Sequence, residues 1–329
     1  MRTRISNSTF FPLQWQSAAN LEAAINEWID EKANCRKAST TAKYRYMSSV
    51  HIIPYIGHIK LNDINVRMIN DFLAAKQSCG RLDGSGGLAA SYINTMQVII
   101  KSSINYAAQK GTCSPLNGSI YKSKAIKTDI PILGKNDIIR LENYLCANMD
   151  HTALGILLSL YMGLRLGEVC ALSWNDINCG KRILRVCRTT TRVADPDRLC
   201  ERRTLWVVDK PKTIASNRCI PIPAKLMPCI LEQEASSCSP YVVSDKSNFV
   251  NPRTYEYRFH SILNKAGLPQ TNYHTLRHTF ATRCIEAGMD VKSLSEILGH
   301  GSSAITLNIY VHPSLEMKRH QLDKVLEFQ

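Results

Sequence analysis

The stretch from His274 to Tyr310 constrains this chain more tightly than any other part of the sequence. His274 and Arg277 are three residues apart, so both side chains lie on one face of a predicted helix. Gly299 follows the apolar run SLSEIL and is predicted to end a second helix, which leaves His300 in the turn. The sequence therefore places two histidines and an arginine on short elements that precede a tyrosine.

A third helix is predicted to carry Tyr310. Ser302 or Ser303 can cap its first turn, and Pro313 cannot continue it, so the helix ends shortly after the tyrosine. A guanidinium binds phosphate oxygens through two donors, and an imidazole transfers protons near neutral pH. Together with a tyrosine hydroxyl, these groups predict covalent chemistry on an anion.

The charge of the chain agrees with an anionic partner. Its 329 residues include 41 lysines and arginines against 27 aspartates and glutamates, which gives a net charge of +14. This excess favours nucleic acid or an anionic membrane surface. The sequence has no run of about 18 apolar residues and no apolar core near its N-terminus, so it predicts neither a membrane span nor a signal peptide. We therefore expect a cytoplasmic protein of about two domains.

The 12 cysteines of the chain do not form a recognisable ligand pattern. They are scattered from Cys35 to Cys284, with no C-x-x-C pair and no cysteine followed by an H-x-x-x-H pair at the ligand spacing of a zinc site. In a chain of this length we interpret them as reduced, mostly buried, small apolar residues. The sequence thus predicts no metal site.

The first third of the chain has helical periodicity. After a tail over residues 1–18, apolar residues recur at helical spacing in the segment NLEAAINEWIDEKAN. Four helices are predicted. The first covers residues 20–34, the third residues 66–76 and the long fourth helix residues 88–109. The second is capped by Ser39 or Thr40 and stops at residues 54–57. Residues 112–132 lack periodicity and contain proline, glycine and lysines, which predicts a linker between two domains.

The segment YMGLRLGEVCALSWNDIN places an arginine inside a largely apolar stretch. Arg165 and Glu168 are three residues apart and therefore neighbours on a helix or at its start. An arginine in such surroundings requires an anion or a partner carboxylate. The two residues form either an ion pair that only stabilises the fold, or an anion site in which Glu168 orients Arg165.

Residues 182–222 change to short, alternating runs: RILRVCRTTT, TLWVVDK and RCIPIP. They predict a three-stranded antiparallel sheet with a basic turn that contains Lys210 and Lys212. Further helices are predicted over residues 224–236 and 252–266. The C-terminal tail spaces its leucines and Val325 along one face of a last helix.

Several pieces of this sequence resemble the tyrosine site-specific recombinases of the phage integrase family. The family pattern H-x-L-R-H-T, L-G-H, then a tyrosine with a histidine two residues later, is present from His274 to His312 and includes His278. Residues 163–177 match G-L-R-x-x-E-x-x-x-L-x-W-x-D-I at every position. The run KPKTIASNRCIP is similar to the family's turn that carries a catalytic lysine. Near the N-terminus, TTAKYRYMSSVHIIPYIGHIKLNDI and INTMQVIIKSSINYAAQKG resemble the core-binding domain of the family.

The resemblance implies a mainly α fold with a small antiparallel β-sheet (α+β). It implies a helical, SAM-like core-binding domain over residues 19–111 and a catalytic domain over 133–329 that ends in a tail helix. The implied catalytic residues are Arg165, Lys212, His274, Arg277, His300 and the nucleophile Tyr310, with Glu168 in support.

The implied reaction forms a 3′-phosphotyrosine and a free 5′-hydroxyl without metal, ATP or another cofactor. Two arginines would stabilise the phosphorane, and His300 would donate to a non-bridging oxygen. His274 is the candidate base for Tyr310. Lys212, directly before a threonine, is the candidate acid for the leaving oxygen, and Lys210 is the alternative assignment.

The implied partner is double-stranded DNA, which a homotetramer would hold with tail helices docked on neighbouring protomers. DNA contacts are expected from Lys43, Arg45, Lys210, Arg218 and Arg253. We therefore expect a nucleoid-associated enzyme that integrates or excises a mobile element or prophage. A directionality factor is a further expected partner. About twenty residues precede the first helix, so we expect no arm-binding domain.

Two other functions use the same fold. A type IB topoisomerase-like enzyme that relaxes DNA would use the same phosphotyrosine chemistry. The residues of the integrase-like motifs and the helical N-terminal unit favour a recombinase. A non-catalytic DNA-binding regulator would not need the intact set of six catalytic residues.

Overall fold

The computed structural model describes residues 20–124, 130–194, 204–209 and 214–310, together with Arg319, Leu322 and Asp323. The chain divides into two compact units, Met1–Lys127 and Thr128–Gln329. The predictions for the N-terminal tail, Lys210, Lys212, His312, Pro313 and most of the C-terminal tail helix lie outside the described residues.

The N-terminal unit is a helical bundle around one apolar core. The predicted stripe from Leu21 to Ile29 is buried in it, opposite Ile93, Met96 and Ile100. The side chains of Asn20 and Asn65 cap the first and third helices, as their preference for that position favours. The elements are α1 (Leu21–Ala33), α2 (Ala38–Met47), a π-helical segment (Ser48–Gly57), a 3-10 turn (Leu61–Asp63), α3 (Val66–Cys79) and α4 (Ala90–Gln109).

The second helix differs from its prediction at its start and agrees with it at its end. It starts at Ala38 after Lys37, whose carbonyl accepts from the N–H groups of Thr40 and Thr41, so neither Ser39 nor Thr40 is the N-cap. The chain then continues in π-helical turns with Pro54 inside them and ends at Gly57, within the predicted range of residues 54–57. A proline removes one backbone donor, and a widened turn can tolerate that loss.

The first part of the predicted linker packs on the N-terminal bundle. Ile120 is buried in its core, and the Ile120 carbonyl accepts from Gln97 Nε2 at 3.2 Å. Asn94 Nδ2 donates to the Ser123 carbonyl at 2.9 Å. Two side-chain amides of α4 thus satisfy backbone carbonyls of the linker that have no partner in a helix or sheet. The linker up to residue 124 therefore belongs to this unit.

The C-terminal unit is built around α6, whose side chains from Thr152 to Leu160 are all buried. Its capping residue is Asp150, whose carboxylate accepts from the Ala153 N–H at 2.7 Å. The helices are α5 (Lys135–Ala147), α6 (His151–Met162), α7 (Leu166–Cys170), α8 (Met227–Ser236), α9 (Pro252–Lys265), α10 (His274–Glu286), α11 (Val291–Leu298) and α12 (Ser303–Tyr310).

The β-structure is split into two small sheets, so the prediction of one three-stranded sheet over residues 182–222 is wrong in its details. Antiparallel strands β1 (Ile177–Asn178), β2 (Ile183–Val186) and β5 (Arg218–Pro221) lie in the order β1-β2-β5, and β3 (Thr189–Ala194) pairs with β4 (Thr204–Asp209). The predicted first strand breaks at Cys187 and Arg188. Both side chains there donate to the buried carboxylate of Asp176, which turns the chain away from the first sheet.

The described cysteines are free thiols, but the expectation that most of them are buried is wrong. Only Cys170 and Cys284 are fully buried among them. In the part of the chain that the structure describes, no cluster of three metal-binding side chains occurs. That part also contains no helix with the length and apolar character needed to cross a bilayer.

Gly155 is the tightest packing point of α6 against α9. A Cβ at this position would overlap the Tyr255 hydroxyl, which donates to the Thr152 carbonyl, and would lie 2.6 Å from Val243 Cγ1. We expect Gly155→Ala to lower the free energy of unfolding by about 1–3 kcal/mol, as overpacking does. Gly301→Ala, where nothing lies within 4 Å of the added Cβ, is the matched control for urea unfolding. An equal effect of both variants would contradict this packing argument.

Candidate active site

Arg165 is placed by the turn between α6 and α7. Gly163 ends α6 in the left-handed region (φ +67°), and Arg165 is the N-cap residue of α7. Its backbone N–H donates to Glu168 Oε2 at 2.9 Å, and its Nη1 donates to Glu168 Oε1 at 2.7 Å. Its Nη2 lies 3.4 Å from the Gly299 carbonyl. The predicted pairing of Arg165 with Glu168 is therefore present, and it fixes both ends of the arginine.

Arg218 also binds Glu168, from strand β5. Its two Nη atoms donate to the two carboxylate oxygens at 3.0 Å each, and the side chains are 6% and 4% exposed. Burial disfavours the carboxylate, but hydrogen bonds and charge from Arg218, then charge from Arg165, outweigh it and hold the pKa of Glu168 at about 2. Arg218 Nε donates to the Ile297 carbonyl. Arg218 was expected to contact DNA, and its burial in this ion pair is the reason to correct that prediction.

Arg277 lies at the carboxyl ends of two helices. Its side chain is 1% exposed, and its Nη1 and Nη2 donate to the carbonyls of Gly163 and Leu298 at 2.6 Å each. These carbonyls end α6 and α11, where the helix dipole is negative, so they compensate the buried charge. Burial, then the charge of Arg165, lowers the pKa of Arg277 to about 9, which leaves the group cationic at neutral pH.

His300 occupies the turn that the sequence predicts, directly after Gly299 in the left-handed region (φ +65°). Its Nε2 lies 3.0 Å from Arg277 Nη2 and its Nδ1 lies 2.9 Å from the Thr306 hydroxyl. Because a guanidinium can only donate, Nε2 is an acceptor here. Burial, then the charge of Arg277, lowers the pKa of His300 to about 4. The expected donation to a phosphate oxygen therefore requires Nε2 to take up a proton.

Tyr310 lies on α12 with its hydroxyl turned toward α10. The residue is 8% exposed, and its Oη lies 2.8 Å from Nδ1 of His278. The rings of His274 and His278 meet edge to face with centroids 4.5 Å apart. Burial, then the charge of His278, lowers the pKa of His274 to about 4. His278 was not among the predicted catalytic residues, although its position one helical turn after His274 puts it on the same face.

The predicted catalytic residues that the structure describes come together in one cluster. Hydrogen bonds join Arg277 to His300, and the charge of Arg165 acts on His274, Arg277, His300 and Tyr310 alike. The site combines three arginines with one carboxylate, so its charge suits an anion with several oxygens.

Three of the residues expected to contact DNA lie at the surface, outside this cluster. Lys43 and Arg253 are exposed, and Arg253 stacks on the Tyr257 ring at 5.8 Å from its centroid. Arg45 is exposed as well, but it pairs with Asp30 at 2.6 Å. A duplex that binds at Arg45 must therefore compete with this ion pair.

Comparison with known proteins identifies both units of the chain. Residues 132–317 match the phage integrase family, and residues 20–76 match the phage integrase, N-terminal SAM-like domain. A tyrosine recombinase XerC-like protein of Caldanaerobacter subterraneus subsp. tengcongensis is 27% identical over 323 residues, which cover 91% of this chain and 81% of that protein. The transposase from transposon Tn916 of Enterococcus faecalis is 26% identical over 308 residues, with 82% and 71% coverage.

Solved structures show the same fold. The integrase of transposon Tn1549, in complex with a circular intermediate DNA, has a TM-score of 0.74 and 19% identity, over 93% of this chain and 99% of that one. A lambda integrase tetramer bound to a Holliday junction has a TM-score of 0.60 and 15% identity, over 90% and 78%.

Removal of Arg218 leaves the buried carboxylate of Glu168 with half of its partners. We expect Arg218→Met to lower the free energy of unfolding at pH 7 by about 3–5 kcal/mol. Lys292→Met, which removes an exposed pair with Glu296, is the control and should cost less than about 1 kcal/mol in the same urea titration.

The effect of Arg218 should also depend on pH. The folded pKa of Glu168 is depressed, so its contribution is present above the ordinary value of 4.5 and is lost as the pH falls toward about 2. The difference in unfolding free energy between wild type and Arg218→Met should therefore shrink in acid. A difference that stays constant from pH 7 to pH 3 would contradict the ion-pair argument.

Proposed function

The chain belongs to the phage integrase family of tyrosine site-specific recombinases, and from this premise we propose that it cuts and rejoins double-stranded DNA through a covalent bond between Tyr310 and a 3′-phosphate. One observation carries the proposal: the phenol of Tyr310 is buried in the same cluster as two guanidinium groups, Arg165 and Arg277. A nucleophile beside fixed cations is the arrangement that attack on a phosphodiester requires.

The arginines supply the electrostatic stabilisation. Negative charge grows on the non-bridging oxygens as the tyrosine oxygen approaches phosphorus, and preorganised donors at that place lower the barrier. Arg277 is immobilised by two helix carbonyls and Arg165 by Glu168, so neither has to reorganise during the reaction. We propose that these protein cations, with Lys212 as the acid for the 5′-oxygen and Lys210 as the alternative, serve without metal or ATP. The phosphotyrosine bond would keep the energy of the phosphodiester for rejoining.

The relatives suggest the biological setting. Proteins named for transposons Tn916 and Tn1549 are among those to which the chain is similar, and lambda integrase forms a tetramer on a Holliday junction. We infer that this enzyme integrates or excises a mobile element as a homotetramer on two duplexes. Docking of the C-terminal tail on a neighbouring protomer, and a directionality factor, are parts of the same proposal.

The nucleophile is tested with Tyr310→Phe. Cells that express each protein are lysed in denaturant, covalent protein–DNA complexes are captured, and the attached DNA is sequenced. We expect wild type to yield adducts at discrete sites and Tyr310→Phe to yield none, with duplex binding retained in both. Tyr121→Phe, at an exposed tyrosine of the other unit, is the matched control and should behave as wild type.

Adduct capture, combined with an assay of strand exchange between two duplexes, separates the alternative functions. A relaxing enzyme would form Tyr310-dependent adducts but exchange no strands between two duplexes, and a regulator would form no adduct in any variant. Adducts that persist in Tyr310→Phe would show that another residue is the nucleophile.

Exposed cations should determine the salt dependence of binding. We expect Lys43→Gln and Arg253→Gln each to weaken binding to a duplex of arbitrary sequence and to reduce the slope of log K against log salt by about 1. Lys225→Gln is the control, because Glu142 at 3.4 Å already partly neutralises this lysine. An unchanged slope in Arg253→Gln would remove that residue from the interface.

A further inference from the structure

The hydroxyl of Tyr310 is held by a residue to which the sequence assigned no chemistry. Its Oη lies 2.8 Å from Nδ1 of His278, whose ring centroid is 5.6 Å from that of the tyrosine. The tyrosine ring packs in a small apolar cluster that includes Phe280 and Leu298, so its position is fixed by burial as well as by this hydrogen bond. His274 lies beyond His278, in contact with its ring.

His278 is able to accept the phenol proton. Burial, then the charge of Arg277, lowers the pKa of His278, so the imidazole is neutral at neutral pH and carries a lone pair. Arg277 and Arg165, whose charges also act on Tyr310, have no acceptor atoms. Among the described groups that act on this hydroxyl, the imidazole of His278 is therefore the one that can take its proton.

On the basis of the function proposed above, we propose that His278, in place of the predicted His274, is the general base that activates Tyr310. The proton passes from Oη of Tyr310 to Nδ1 of His278. The phenolate oxygen then bonds to phosphorus as the bond from phosphorus to the 5′-oxygen breaks, and that oxygen takes a proton from the acid assigned to Lys212. In rejoining, a 5′-hydroxyl attacks, its proton returns to that acid, and His278 returns its proton to the tyrosine oxygen.

The surroundings of His278 couple this step to DNA binding. From α10 it faces His274 and Arg277, and from α12 it faces Tyr310. The charge that acts on its pKa is that of Arg277. A cationic neighbour weakens an imidazole as a base, and an arriving phosphodiester anion offsets that cation. The base therefore becomes stronger when the scissile phosphate is in place.

The test uses the full chain and a nicked duplex that carries a site recovered from the captured adducts. The initial rate of covalent adduct formation is measured from pH 6 to pH 10 for wild type, His278→Asn, His278→Ala and His274→Asn. Asparagine keeps a hydrogen-bonding atom near the position of Nδ1 but is not basic, so it separates orientation from proton transfer. Retention of the duplex by each variant, and its circular dichroism spectrum, report whether the fold is intact.

We expect His278→Asn to form the adduct at least about 100-fold more slowly than wild type at neutral pH, as loss of a general base does. Its rate should recover as the pH rises toward the ionisation of the phenol, and added imidazole should accelerate His278→Ala. His274→Asn should respond to neither treatment.

Three results would overturn the assignment. A near wild-type rate in His278→Asn would mean that a hydrogen bond alone suffices. A slow rate that neither alkali nor imidazole restores would make His278 a positioning residue. Rescue of His274→Asn would return the role to His274. If wild type forms no adduct that depends on Tyr310, the proposed function itself fails, which is a different outcome from all three.

Discussion

The buried carboxylate of Glu168 is the interaction on which the rest of this site depends. It binds Arg165 from the start of α7 and Arg218 from strand β5. Arg218 in turn holds the Ile297 carbonyl near the end of α11. Without the carboxylate, the buried guanidinium of Arg218 would lose its counter-ion and face a second cation, Arg165, which costs several kcal/mol. One anion thereby joins a helix start, a sheet edge and a helix end, and these three elements surround the reacting groups.

The remaining positive charge is stabilised by backbone. Arg277 has no carboxylate partner among the described residues and is held by carbonyls at the ends of α6 and α11. Carbonyl dipoles offset part of its charge but do not cancel it. Burial first, and this charge in addition, keep the neighbouring imidazoles of His274 and His300 neutral, with pKa values of about 4. Part of the positive charge of the site therefore remains unbalanced, and a bound phosphate can neutralise it. Because that charge acts on the histidines of the site, binding of the substrate would change their pKa values.

Much of the fold could be predicted from the sequence, because apolar periodicity and capping residues are local signals. The turn that carries His300 was predicted correctly, since Gly299 after an apolar run is a strong helix end. Arg218 was misassigned because its partner Glu168 is fifty residues away, and no local pattern distinguishes a buried guanidinium from an exposed one. The contact of His278 with Tyr310 likewise depends on how α12 packs on α10, which spacing alone does not determine. The break between β2 and β3 follows from tertiary contacts to Asp176.

Helix α12 is only eight residues long, yet it carries two functional contacts on one face. Thr306 hydrogen-bonds to His300, and Tyr310, one turn later, hydrogen-bonds to His278. A displacement of this helix would withdraw the phenol from His278 and remove the Thr306 hydrogen bond of His300 in the same movement. The position of one short segment therefore determines the surroundings of the Tyr310 hydroxyl and of the His300 imidazole together.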